Sequence, residues 1–239
     1  VNDAVVVKLG GSVLAGVDGY RRAAAFVRSI AAGGSPVVAV VSAELGHTDA
    51  LLGEAQRLHA TPDVDVLALL WSTGELRSVA LLTFALISAG VPAAGLDVHE
   101  AGLRRARTGS RRASIDVNPL NLRAALDRHR AVVVPGFLAT SGPRVVTLGR
   151  GGSDWSAVLL AAALGASSCV LVKDVDGYFT ADPRENAGAA LIHSISYEDA
   201  LAMADAGCPL VQRQAIAEAR ARGVELVVRS FTSRGTRVQ

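Results

Sequence analysis

Ala4-Val5-Val6-Val7-Lys8-Leu9-Gly10-Gly11-Ser12 sets a β-branched run against two consecutive glycines. The run predicts a strand over Ala4–Lys8. The glycines that follow let backbone N–H groups approach a bound anion, and a lysine on the strand can reach the same anion. The same grammar recurs along the chain. Pro36–Ser42, Ala131–Pro135 and Cys169–Lys173 read as buried strands, Val91–Leu96 and Arg144–Thr147 as shorter ones, and Glu225–Arg229 as the last strand. Between them lie helical stretches: Gly19–Ala32, Asp49–His59, Val64–Ala89 (interrupted near Ser72-Thr73-Gly74), Asn118–Arg128, Ser153–Leu164, Tyr197–Ala206 and Gln212–Arg222. Thr48 is read as a cap of the second helix and Ser153 or Asp154 as a cap of the fifth. Strands alternating with helices predict an α/β sandwich around a mainly parallel sheet, formed by one domain with two lobes about a cleft.

Composition narrows the function classes. The 239 residues carry a net charge of +2, too small an excess for a typical nucleic-acid binder. Half the residues are apolar, enough for a full core, but no uninterrupted run of about 18 is found, which argues against a membrane span. No signal-peptide pattern is present, and Cys169 and Cys208 form neither a disulfide framework nor a metal knuckle, so a reduced, cytoplasmic setting is expected. The five histidines are not at ligand spacing, and no GxSxG motif occurs. Of 24 basic residues only Lys8 and Lys173 are lysines, which marks two places where a compact ammonium matters. Arg104, Arg105, Arg107, Arg111 and Arg112 cluster around Thr108-Gly109-Ser110, read either as a solvated loop or as anion recruitment.

Three more motifs carry chemistry. Gly149-Arg150-Gly151-Gly152-Ser153-Asp154 clears space at a helix start, where anions bind, and adds the planar fork of an arginine. Lys173-Asp174 through Asp182-Pro183-Arg184 begins at the carboxyl end of a buried strand, where open α/β sheets place ligands. There Asp174 could organise Mg²⁺ through water or orient Lys8, and Tyr178 could lie against a base with Arg184 near phosphates. Asp176-Gly177 and Asp182-Pro183 also read as plain turns. Ser72-Thr73-Gly74-Glu75 reads as a helix opening.

Taken in order, these motifs resemble those of aspartate kinases of the amino acid kinase superfamily. Lys8–Ser12 is similar to the family's Lys-Phe-Gly-Gly-Thr, and Val40–Ala43 with Thr48-Asp49 to its second loop. Ser72–Glu75 is similar to Ser-x-Gly-Glu, Thr147–Asp154 to Thr-Leu-Gly-Arg-Gly-Gly-Ser-Asp, and Asp174–Arg184 to its Asp-Val-Asp-Gly segment. The resemblance implies a three-layer αβα sandwich, with an acceptor lobe over about 1–143 and a nucleotide lobe over about 144–239. It implies transfer of the ATP γ-phosphoryl group, with Mg²⁺ carried on the phosphates, to the carboxylate of aspartate or a related small amino acid, in a homodimer. Under it Lys8, Asp174 and Asp154 are catalytic, with Asp174 holding the lysine and metal arrangement. Ser42, Glu75, Arg150, Gly151 and Ser153 bind the acceptor, Glu75 taking its ammonium and Arg150 its α-carboxylate. Gly10, Gly11, Ser12, Lys173, Asp174, Tyr178, Asp182 and Arg184 bind the nucleotide.

The chain departs from the family in places. Gly207-Cys208-Pro209 stands where the family has Gly-Ala-Lys, Gln212-Arg213 where it has His-Pro, and Lys173 where it has Thr. One reading makes Lys173 the replacement cation. The chain stops at Gln239, so the regulatory extension of most members is not expected. The alternatives left open are a kinase of the same superfamily with another acceptor (a phosphate monoester, an alcohol, a specialised metabolite) and a non-catalytic nucleotide or anion binder.

Overall fold

The computed structural model describes residues 4–106, 114–149, 151–208 and 210–239. The first strand, β1 (Val5–Leu9), leads into α1 (Gly16–Ala32), β2 (Val37–Val41), α2 (His47–Leu58) and α3 (Val64–Ser88). β3 (Ala93–Gly95), β4 (Leu103–Arg105), β5 (Ile115–Val117), α4 (Leu120–Leu126), β6 (Ala131–Pro135), β7 (Leu138–Ser141) and β8 (Arg144–Thr147) follow. The remainder comprises α5 (Gly152–Leu164), β9 (Ser168–Val172), β10 (Ser194–Ile195), α6 (Tyr197–Asp205), α7 (Arg213–Arg222), β11 (Glu225–Arg229) and β12 (Thr236–Val238). Eight strands form the central sheet in the order β10-β12-β11-β9-β1-β2-β6-β3, parallel except for the β11–β12 pair. β5-β4-β7-β8 form a second, mixed sheet.

Strand alternation divides the core into two layers. Val6, Val38, Val40, Val132, Val134 and Leu171 face the side packed by α5 and α7. Val7, Leu9, Val37, Ala39, Val41 and Val133 face the side packed by α1 and α3. These β-branched runs form central strands because both of their faces find a helical layer, which produces the αβα sandwich.

Several local expectations change. The α3 helix runs unbroken through Ser72–Gly74, because Gly74 packs tightly beneath His47 and Ala43, where a side chain would collide. Glu75 is therefore a mid-helix residue. At 25 residues α3 is long and apolar enough by composition to cross a membrane. It nevertheless buries Leu67, Ala68, Val79, Leu82 and Leu86 and carries Glu75 inside the protein, so its inner face belongs to this core. Thr48 lies inside α2, whose N-cap is Gly46. Gly151, at φ 76°, caps α5, leaving Ser153 and Asp154 in the first turn. The last strand is β12, which returns antiparallel to β11.

Candidate active site

Register explains the centre of the site. On β1, Lys8 shares parity with Val6 and so points to the α5 layer; it pairs with Leu171 of β9. Lys173 follows Leu171 by two residues just past the end of β9, with its backbone N–H donating to the Arg229 carbonyl. Side chains two apart on a strand share a face. Both lysines of the chain therefore emerge together at the carboxyl ends of adjacent central strands, beneath the N-terminus of α5. Asp154 in the first turn of that helix meets them. Lys8 Nζ lies 2.8 Å from Oδ1 and Lys173 Nζ donates to Oδ2 at 2.7 Å. Oδ1 accepts no well-angled hydrogen bond, so its attraction to Lys8 is coulombic. Asp154 and Lys8 are both buried.

The charges shift one another. Burial alone would raise the Asp154 carboxyl, but Lys8 and Lys173 outweigh it and hold the group at about 2. Burial, then repulsion from Lys8, pulls the Lys173 ammonium down to about 8 against the attraction of Asp154. Isolated buried charges are costly, and this cluster holds together because one carboxylate serves two ammonium groups.

Backbone loops roof the lysines. Gly10 N–H donates to the Val172 carbonyl, and the position a Gly10 Cβ would take is 3.6 Å from Lys8 Nζ. A Cβ on Gly11 would lie 2.3 Å from the Ala43 carbonyl, so only glycine allows the loop after β1 to touch the loop after β2. Ser42 donates its N–H to the Leu9 carbonyl and holds those two loops in step. Past them, Glu75 projects from α3 with 3% exposure and an unpartnered Oε2. Burial pushes its carboxyl up to about 8, although the Ala43 amide and Lys8 pull it down. On the α5 side, Ser153 packs against Gly136, and Phe137, a bulky residue at φ 62°, turns the chain out of β6. Strain of this kind clusters at functional sites.

The structure thus joins Lys8, Asp154, Lys173, Gly10, Gly11, Ser42 and Glu75 through one continuous set of contacts. Ser12 is half-buried in the same loop. Gly151 lies against Gln212 at the start of α7. Other expected residues stand differently. The carboxylate that holds the lysines is Asp154, not Asp174; Asp174 is exposed and makes no hydrogen bond among the described residues. The Tyr178 ring is only 2% exposed within the α5-side core, so its faces are not open to a base; burial pushes its unpartnered hydroxyl up. Asp182 accepts from Arg184 N–H at 2.9 Å, and the two side chains also pair, closing an exposed turn. Arg150, Pro209, Arg107, Arg111 and Arg112 lie outside the described residues. Arg105 is tied to the Thr147 carbonyl, and beside it Arg104, His99 and Thr140 line a cavity of about 380 Å³. Sequence reading missed the Ala43 carbonyl, His47 and Gln212, all of which act through packing against glycines.

Among the described residues no cluster of three or more His, Cys, Asp or Glu could hold a metal. An exposed, unpaired Asp174 beside a cationic cluster fits a Mg²⁺ ion that comes mostly coordinated by phosphates and water, as this ion prefers.

A mainly parallel αβα sandwich with lysines and glycine loops at the carboxyl ends of its central strands defines an anion-binding type of site. The chain belongs to the amino acid kinase family, whose model matches residues 3–230. It is 39% identical to the aspartokinase of Mycobacterium tuberculosis over 96% of this chain and 55% of that one. To the Thermus thermophilus aspartokinase it is 38% identical, over 96% and 57%. The chain thus spans little more than half the length of these relatives. Among solved structures it superposes on Synechocystis aspartate kinase with a TM-score of 0.87 and 35% identity, over 98% of this chain and 39% of that one. Escherichia coli aspartokinase III in complex with aspartate and ADP gives 0.82 and 26%, over 99% and 64%.

Proposed function

We propose that this chain transfers the γ-phosphoryl group of ATP to the side-chain carboxylate of aspartate, forming an acyl phosphate. The observation that carries this reading is the buried Glu75 carboxyl, with its Oε2 unpartnered, beside a two-lysine cluster: an ammonium receptor next to an anion receptor. The aspartate and ADP held by aspartokinase III support the same pair of ligands. In this reading Lys8 neutralises the transferring phosphoryl group, and Asp154 fixes Lys8. Gly11 and Ser12 present N–H donors to phosphate oxygens, where preorganised donors act most strongly, and Gly10, whose own N–H is taken by the Val172 carbonyl, keeps the space beside Lys8 open for them. Glu75 takes the aspartate ammonium and Arg150 its α-carboxylate, while Ser42, Gly151 and Ser153 shape that pocket. Arg184 and Asp182 border the nucleotide. Mg²⁺, held by the ATP phosphates and near Asp174, would supply charge neutralisation. The acceptor carboxylate is already ionised at neutral pH, so no general base is needed. The acceptor lobe covers about 1–143 and the nucleotide lobe about 144–239; the setting is cytoplasmic, in keeping with two free cysteines.

The test is ADP release from Mg-ATP with hydroxylamine present as a trap. Aspartate, glutamate, other amino acids and phosphate monoesters serve as acceptors, against a blank without acceptor. Hydroxamate formation with aspartate is expected. ADP release on a phosphate monoester without hydroxamate would replace this acceptor with another.

A further inference from the structure

We propose that Lys173 is a second phosphoryl-transfer cation, placed on the leaving-group side, where it binds the β-phosphate of the nucleotide. The inference deepens the kinase reading above and rests on it for the identity of the reaction, though not for the anion site itself.

Two ammonium groups share one carboxylate, and no second counterion meets them among the described residues. The cluster therefore carries one surplus positive charge at the mouth of a buried site. Lys173 retains 15% side-chain exposure against 8% for Lys8, so it is the more open of the two toward an incoming anion. A buried cationic surplus under glycine amides is an anion receptor.

Position then separates the two lysines. Along the sheet the order is β9, β1, β2. Lys173 leaves β9, Lys8 lies on β1, and the loop after β2 leads to Glu75, where the acceptor ammonium is assigned. Lys173, Lys8 and Glu75 thus follow one another across the site. In-line transfer breaks the bond between the γ-phosphorus and the bridging oxygen as the acceptor carboxylate oxygen bonds to phosphorus. The released electron pair stays on the β-phosphate oxygen of ADP. Charge grows at that oxygen, on the side away from the acceptor, which is the side Lys173 occupies. Asp154 acts on both lysines at once and keeps the two ammonium groups, which repel each other, at a fixed spacing.

The chemistry of the chain makes the test direct, because Lys8 and Lys173 are its only lysines. Wild-type protein is labelled with acetic anhydride, alone, with Mg-ADP and with AMP, and Lys173 acetylation is read by mass spectrometry. Protection by Mg-ADP but not by AMP is expected; equal labelling in all three overturns the proposal. In parallel, calorimetry on Lys173→Met should show Mg-ADP affinity lowered at least about tenfold, the loss of one charge-assisted hydrogen bond, with AMP affinity unchanged. Turnover of Lys173→Ala with aspartate should fall far more than the KM for aspartate changes, and added ethylammonium should restore part of it. An unchanged ADP affinity, or a fall confined to aspartate binding, overturns the assignment. Lack of aspartate phosphorylation by the wild type, with ADP protection intact, overturns the acceptor reading and leaves the Lys173 site standing.

Discussion

Glu75 shows how a single carboxyl can be set by its surroundings. Its pKa is raised to about 8, so the free protein holds a neutral acid there at pH 7. An ammonium that binds it must displace the proton. Aspartate binding below pH 8 is therefore expected to release a proton, seen as a dependence of calorimetric heat on buffer ionisation enthalpy. The KM for aspartate should fall as pH rises from 6 to about 8; a flat KM would remove Glu75 from the acceptor site. Stability runs the other way. The unfolded chain loses this proton near the ordinary carboxylate pKa, whereas the folded protein keeps it up to about 8. The stabilisation is complete below the unfolded value and is lost as pH rises through the folded one. Glu75→Gln should thus melt higher than wild type at pH 8.5 and lose that advantage at pH 5. Asp154 has the opposite sign, with a pKa lowered to about 2. Its stabilisation is present above the usual carboxylate range and is lost as pH falls through about 2. Asp154→Asn leaves two buried ammonium groups without their counterion and is expected to cost about 3–5 kcal/mol in urea unfolding at pH 7.

Among the elements, α3 carries the most consequence. A substitution at Gly74 would ordinarily favour a helix interior by about 1 kcal/mol. Here a Cβ would come within 2.7 Å of the His47 ring and 3.2 Å of Ala43, the residue whose amide faces Glu75. Gly74→Ala should therefore raise the KM for aspartate several-fold despite its better helix propensity; an unchanged KM would show that His47 yields at no cost. The same glycine marks where the sequence misled, since a Ser-Thr-Gly run reads as a break and gives no sign that a neighbouring helix lies on it. The central strands were legible because β-branched residues filled both faces. Short strands such as β4, β5 and β12 were not, because three residues carry no period and owe their pairing to partners elsewhere in the chain. Of the site, Lys8, Lys173 and Asp154 were legible as types at motif positions. That Asp154 and not Asp174 joins the lysines was not, since it depends on which way α5 points its first turn. The burial of Tyr178 was hidden for the same reason: an aromatic after a turn looks the same whether it faces solvent or core.

Across the whole molecule, the outer face of α3 is the clearest unpaired surface. Val66, Leu69, Phe84 and Ile87 are more than half exposed along it. With Thr73, Arg77 and Ala80, also exposed, they recur at spacings of three and four, a stripe that is apolar at both ends and carries Arg77, paired with Glu44, at its middle. We propose a homodimer formed by this face against a second copy. Light scattering should give twice the chain mass, and Leu69→Asp with Phe84→Asp should reduce it to that of a single chain while melting unfolds at a similar temperature. A monomeric wild type would refute this arrangement.

The place of β1 has a consequence for how the molecule comes to exist. The strand that carries Lys8 leaves the ribosome some 160 residues ahead of β9, the strand that borders it. Until that partner is synthesised, β1 exposes a hydrogen-bonding edge and an apolar face, and Lys8 has neither Asp154 nor Lys173 beside it. Long-range parallel pairing is slow to form, and its intermediates are prone to aggregate. Refolding from urea is therefore expected to regain helical signal well before nucleotide binding, with competence arriving only when the two halves of the chain close around their shared first strand.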